Sequence, residues 1–204
     1  MITYMYDIIC VTNRKLCRED FLTRIEKICD AGVSRIIFRE KDLSENDYEV
    51  LAAKVIERVQ KFNTPITLHT FENAAVNLKC RSIHMPLSNL DMMNRTQYFT
   101  QLGVSVHSVS QAISAEKSGC TYITAGHIFD TDCKKGLPGR GLDFLKSVTE
   151  SVNIPVYAIG GINSGNISDV IERGAAGVCI MSGLMECDDP KTYLKIIKRG
   201  ETYR

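Results

Sequence analysis

The chain has 204 residues, 44% hydrophobic and 24% charged, which excludes a disordered or low-complexity scaffold. Its 25 Lys and Arg balance 24 Asp and Glu to a formal net charge of +1, so the electrostatic footprint of a dedicated nucleic-acid or membrane-surface binder is missing. No apolar run approaches the ~20 residues that span a bilayer, and Asp7 interrupts the apolar stretch near the N-terminus, so neither a spanning helix nor a signal peptide is expected and the chain reads as cytoplasmic.

Short β-like runs alternate with amphipathic segments throughout. A strand at 6–11 is followed by Phe21, Leu22, Ile25 and Ile28 at helical spacing, stopped by Ala31-Gly32. A second strand, 34–38, precedes the stripe Tyr48, Leu51, Ala52, Val55, Ile56 and Val59, with Ser44 as its cap and Asp47 three residues on. Strands at 65–69, 82–85 and 104–107 come next, and Ser108 then opens a helix closed by Gly119. The sixth strand, 121–125, runs into AGHIFDTDCKKGLPGRG, longer than an ordinary strand-to-helix connection. After strand 154–161, Ile167, Val170 and Ile171 form a short helix ending at Gly174. Strand 177–183 leads to a last helix, opened by Pro190.

Most of these runs are continuously apolar, as parallel strands covered on both faces should be. Eight of them in units of about 25 residues predict a compact single-domain α/β fold over 1–204, a (β/α)8 TIM barrel near its lower size limit. A doubly wound open sheet is the competing architecture. The eight cysteines include no C-x-x-C pair and are expected to be reduced, mostly structural thiols.

In such a barrel, chemistry gathers at the C-terminal strand ends. Gly160-Gly161 and Ser182-Gly183 end the last two strands, where close-approaching backbone N–H groups suit a phosphate; plain turn chemistry is the alternative. Arg39 and Lys41, two apart past the second strand, suit a carboxylate or phosphate, unless Glu40 simply neutralises them. His127, in the long segment after the sixth strand, can take and return a proton at neutral pH. His69, His84 and His107 also end strands. A zinc site built from them lacks support, and hydrogen-bonded rim histidines are expected instead.

The strings IIFREK, GVSVHS, AGHIFDTDCKKG, IPVYAIGGI and GAAGVCIMSG, in this order, resemble the thiamine-phosphate synthase/TenI superfamily over almost the whole length. The resemblance implies a (β/α)8 barrel and two candidate activities. Thiamine-phosphate synthases couple a pyrimidine pyrophosphate to a thiazole phosphate with Mg²⁺. Their Asn-Asp pair after the third strand reads His69-Thr70 here, and their second metal-binding Asp is matched by Asn89. Ile37 stands for the Gln of their Q-x-R-E-K string, and Cys133 for a loop Thr. Mg²⁺ needs hard oxygen ligands, which Thr70 and Asn89 supply poorly.

Gly126-His127 instead resembles the TenI-like thiazole tautomerase branch. That branch implies an isomerase of thiamine biosynthesis that aromatises a 2H-ylidene carboxythiazole phosphate without metal or cofactor. By the resemblance, His127 is the acid/base, and Gly160, Gly161, Ser182 and Gly183 hold the phosphate. Arg39, Lys41, Ser105, Thr131 and Lys134 make the carboxylate and other substrate contacts, with the 132–139 loop closing and Lys134 or Lys135 reaching in. Expected partners are the small-molecule thiazole phosphate and further copies of the chain in a homo-oligomer, but no nucleic acid or membrane. The alternatives are a diverged thiamine-phosphate synthase and a non-catalytic thiazole-phosphate-binding regulator.

Overall fold

The computed structural model describes residues 6–134 and 136–199, with 133 and 199 described by backbone alone. Its strands are β1 (Asp7–Val11), β2 (Arg35–Phe38), β3 (Ile66–His69), β4 (Ser82–Pro86), β5 (Gln101–Val106), β6 (Tyr122–Gly126), β7 (Val156–Ile159) and β8 (Gly177–Ile180). All pair in parallel with their sequence neighbours, and β1 pairs with β8, Ile8 opposite Val178, to close the ring. The closed ring settles the architecture as a (β/α)8 barrel and excludes the open sheet.

Helices α1 (Phe21–Asp30), α2 (Glu45–Gln60), α3 (Glu72–Asn77), α4 (Val109–Lys117), α5 (Gly141–Thr149), α6 (Ile167–Glu172), α7 (Ser182–Glu186) and α8 (Pro190–Arg199) cover the outside. Ser44 caps α2 as its position predicts: its hydroxyl accepts from the Asp47 amide at 3.2 Å and donates to the Asp47 carboxylate at 2.7 Å. Ser108 caps α4 the same way, accepting from the Gln111 amide. The β4–β5 connection holds two 3₁₀ turns, Leu87–Met92 and Thr96–Tyr98, instead of an α-helix.

The continuous apolar runs expected of the strands hold only for part of the ring. Outward residues Ile36, Leu68, Ile83, Val104 and Ile123 join the large core shared with the helices. Inside the barrel, Ile9, Val11, Ile37 and Cys179 form a small apolar cluster with Tyr122 and Tyr157. Polar side chains also face inward from β3 to β6: Thr67, His69, His84, Ser105 and Thr124. The barrel interior is thus apolar on one side and hydrogen-bonding on the other, directly beneath the strand ends. Among the described residues, no helix is long and apolar enough to cross a membrane.

Candidate active site

The C-terminal strand ends open into a cavity of about 450 Å³, the size of a small-molecule site. The sequence-predicted residues His127, Gly160, Gly161, Ser182 and Gly183 all line it, as do Arg39, Lys41, Ser105, Thr131 and Lys134. Lys135 and the side chain of Cys133 lie outside the described residues.

Arg39 and Lys41 leave the end of β2 together. The Arg39 amide donates to the Thr12 hydroxyl at 2.8 Å, which anchors the strand end against β1. Glu40, between them, is buried, and its carboxylate accepts from the Arg14 amide at 3.0 Å and the Arg14 guanidinium at 3.1 Å. The acid is therefore drawn into the β1–α1 connection. Partial burial of the Lys41 ammonium, then the neighbouring charges of Arg39 and Lys134, hold its pKa below the usual lysine value. Cations crowded together in this way favour an anion between them.

His127 follows β6 on the opposite side. Its Nε2 lies 3.1 Å from the Leu137 carbonyl oxygen, which can only accept, so Nε2 carries the proton and Nδ1 is the basic nitrogen. The same loop is tied to β7 by hydrogen bonds from the Ile128 amide to the Ile159 carbonyl (2.9 Å) and from the Phe129 amide to the Gly160 carbonyl (3.0 Å). Gly160, at φ +101°, fits this contact because a Cβ there would overlap His127. Gly183 has a packing reason as well: a Cβ would overlap the hydroxyl of Tyr193 on α8.

The structure separates the remaining histidines. His107 is exposed at the rim, with Nδ1 2.7 Å from the Gly126 carbonyl. His69 and His84 are buried, and burial is the main force pushing their pKa values down, to about 2 and about 3. Among the described residues, no three His, Cys, Asp or Glu side chains converge as a metal site. Sequence reasoning singled out neither Thr124 nor Gln111, which also line the cavity. Both sit inside ordinary strand or helix patterns and carry no motif.

The donors present do not suit Mg²⁺. Among the described residues lining the cavity, none is Asp or Glu, whereas Arg39, Lys41 and Lys134 are cationic. The Thr70 hydroxyl is hydrogen-bonded to His69 Nδ1 at 2.7 Å, and the Asn89 amide oxygen accepts from Ser88 at 3.1 Å. Glu72 accepts from the Asn94 and Arg95 amides and so serves the β4–β5 connection.

Known proteins are similar to this chain in sequence and in fold. The thiamine monophosphate synthase profile matches residues 8–184. A thiamine-phosphate synthase of Clostridium acetobutylicum is 30% identical across 97% of each chain. A "thiamine-phosphate synthase 2" of Streptococcus pneumoniae is 33% identical over 88% of this chain and 87% of its own. A solved thiamine phosphate pyrophosphorylase from Pyrococcus furiosus shares the fold, with a TM-score of 0.81 and 24% identity across 96% of each chain. With a family match that runs from the first barrel strand into the helix after the last, the chain belongs to the thiamine monophosphate synthase family of thiamine biosynthesis.

Proposed function

We propose that this chain is a thiazole tautomerase, an isomerase that aromatises a 2H-ylidene carboxythiazole phosphate by proton transfer at His127. The observation that carries the reading is the chemistry of the cavity wall: three cations, loop amides at glycines, an imidazole with one basic nitrogen, and no carboxylate among the described lining residues. Such a wall binds a small dianion and moves a proton.

The phosphate lies against the N–H groups around Gly160, Gly161, Ser182 and Gly183. The substrate carboxylate faces Arg39 and Lys41, whose charge stabilises the negative charge that develops as the adjacent ring carbon loses its proton. His127 Nδ1 takes that proton. The C–H bonding pair becomes a ring double bond, the existing ring double bond moves one position round, and the exocyclic π pair moves out to the exocyclic carbon, which takes up a proton from the imidazolium. One proton leaves and one arrives, so product and substrate are isomers and no metal step is needed.

The names of the relatives favour the second reading, a diverged thiamine-phosphate synthase, better than this one. That activity requires Mg²⁺ beside a pyrophosphate, which the wall of the cavity does not suit. Two assays on one preparation distinguish them: conversion of the ylidene substrate in EDTA, and Mg²⁺-dependent coupling of pyrimidine pyrophosphate to thiazole phosphate. Conversion in EDTA without coupling is expected. Coupling without conversion overturns the tautomerase and establishes the synthase.

A further inference from the structure

Along the cavity floor, which His84, Ser105 and Thr124 line, runs a chain of hydrogen bonds. His84 Nδ1 lies 3.1 Å from the Tyr122 hydroxyl, and its Nε2 lies 2.9 Å from the Ser105 hydroxyl. The Thr124 hydroxyl also donates to Ser105, at 3.1 Å. The Arg35 charge sits 5.4 Å from the centre of the Tyr122 ring. A cation beside the ring favours the anionic form of a phenol and so strengthens its hydroxyl as a donor, which directs the Tyr122 proton to His84 Nδ1. His84 then carries its proton on Nε2 and donates to Ser105. With Thr124 donating as well, both lone pairs of the Ser105 oxygen are taken, and its O–H is left for the cavity it lines.

The local sequence makes room for this arrangement. A Cβ on Gly103, on β5, would overlap the Tyr122 ring, so glycine there lets the ring lie against the barrel wall beside His84. Burial keeps His84 uncharged, and a neutral imidazole has one donor and one acceptor, which a one-way chain requires.

We propose that His84 is a positioning residue: with Tyr122, it fixes the Ser105 hydroxyl as an obligatory hydrogen-bond donor to a lone-pair-bearing atom of the ligand. The inference rests on the tautomerase reading only for the identity of that ligand. The acceptor is an atom that gains negative charge as the ring carbon is deprotonated, so a fixed donor serves it better than a rotatable hydroxyl.

Two measurements test it. In ¹⁵N NMR of the free protein, His84 should appear as the neutral Nε2–H tautomer at neutral pH, and Tyr122→Phe should release it to a mixture of tautomers. In calorimetry with the aromatic carboxythiazole phosphate, Tyr122→Phe and Ser105→Ala should each weaken binding about tenfold, and the double variant should be no weaker than Ser105→Ala alone. An Nδ1–H or protonated His84 in the wild type overturns the proposal, as do losses that simply add, which would mark Tyr122 as structural. Tyr122→Phe removes a single hydroxyl and keeps the ring that packs on Gly103, so the barrel is retained. If the carboxythiazole phosphate fails to bind at all, the functional reading fails while the tautomer still decides the direction of the chain.

Discussion

At the cavity mouth, Lys41 couples the site to pH. Its pKa lies below the ordinary lysine value because its ammonium is partly buried and faces Arg39 and Lys134. In the free protein the cation is therefore lost at a lower pH than a solvated lysine would lose it. Affinity for a phosphorylated carboxylate should be full below that pKa and fall as pH rises through it. Calorimetric titration of the aromatic product from neutral to alkaline pH should show this weakening, and Lys41→Arg, which stays charged, should flatten it. An alkaline limb that persists in Lys41→Arg would assign the effect elsewhere. His69 and His84, pushed down to about 2 and about 3, stay neutral over the same range and do not compete with His127 for the proton. That distinction was not legible in the sequence, where all four histidines follow or end strands. It depends on which inward positions stack beneath the cavity, and hence on register between strands.

Among the elements, the turn after β7 and the loop after β6 behave as one unit. The Phe129 amide bonds the Gly160 carbonyl, and the space a Gly160 side chain would need is occupied by His127. Gly160→Ala should therefore shift the imidazole and lower kcat at least tenfold, while the far-ultraviolet circular dichroism of the barrel stays unchanged. Wild-type kcat in that variant would separate the two elements functionally. The sequence-predicted strands all form, because short apolar runs punctuated by glycine and polar residues leave little else for them to be. Helix α1 was legible from its apolar stripe, and α2 and α4 from Ser44 and Ser108, which cap them with side-chain hydrogen bonds. Helices α3, α5 and α7 were not. None has a side-chain cap; α3 buries only Ala74 and Ala75, α5 starts behind the long glycine-bearing loop, and α7 has five residues.

For the molecule as a whole, a net charge of +1 conceals a strong local separation. The acids nearest the strand ends are committed to the framework, Glu40 to Arg14 and Glu72 to the β4–β5 backbone, whereas Arg39, Lys41 and Lys134 line the cavity. Ring closure brings cations from β2, glycines from β7 and β8 and the imidazole after β6 around one small volume, although they are far apart in sequence. Motif order alone pointed to these residues; the closed barrel places them together. On the proposed function, this cavity moves a proton at His127 without a metal ion. This is tested most directly by the first-order rate of ylidene-to-aromatic conversion in EDTA, measured for the wild type and for His127→Asn. Full wild-type turnover is expected in EDTA, with a loss of at least about a hundredfold in His127→Asn and product affinity retained. A wild type silent without Mg²⁺, or a His127→Asn variant as fast as the wild type, would contradict it.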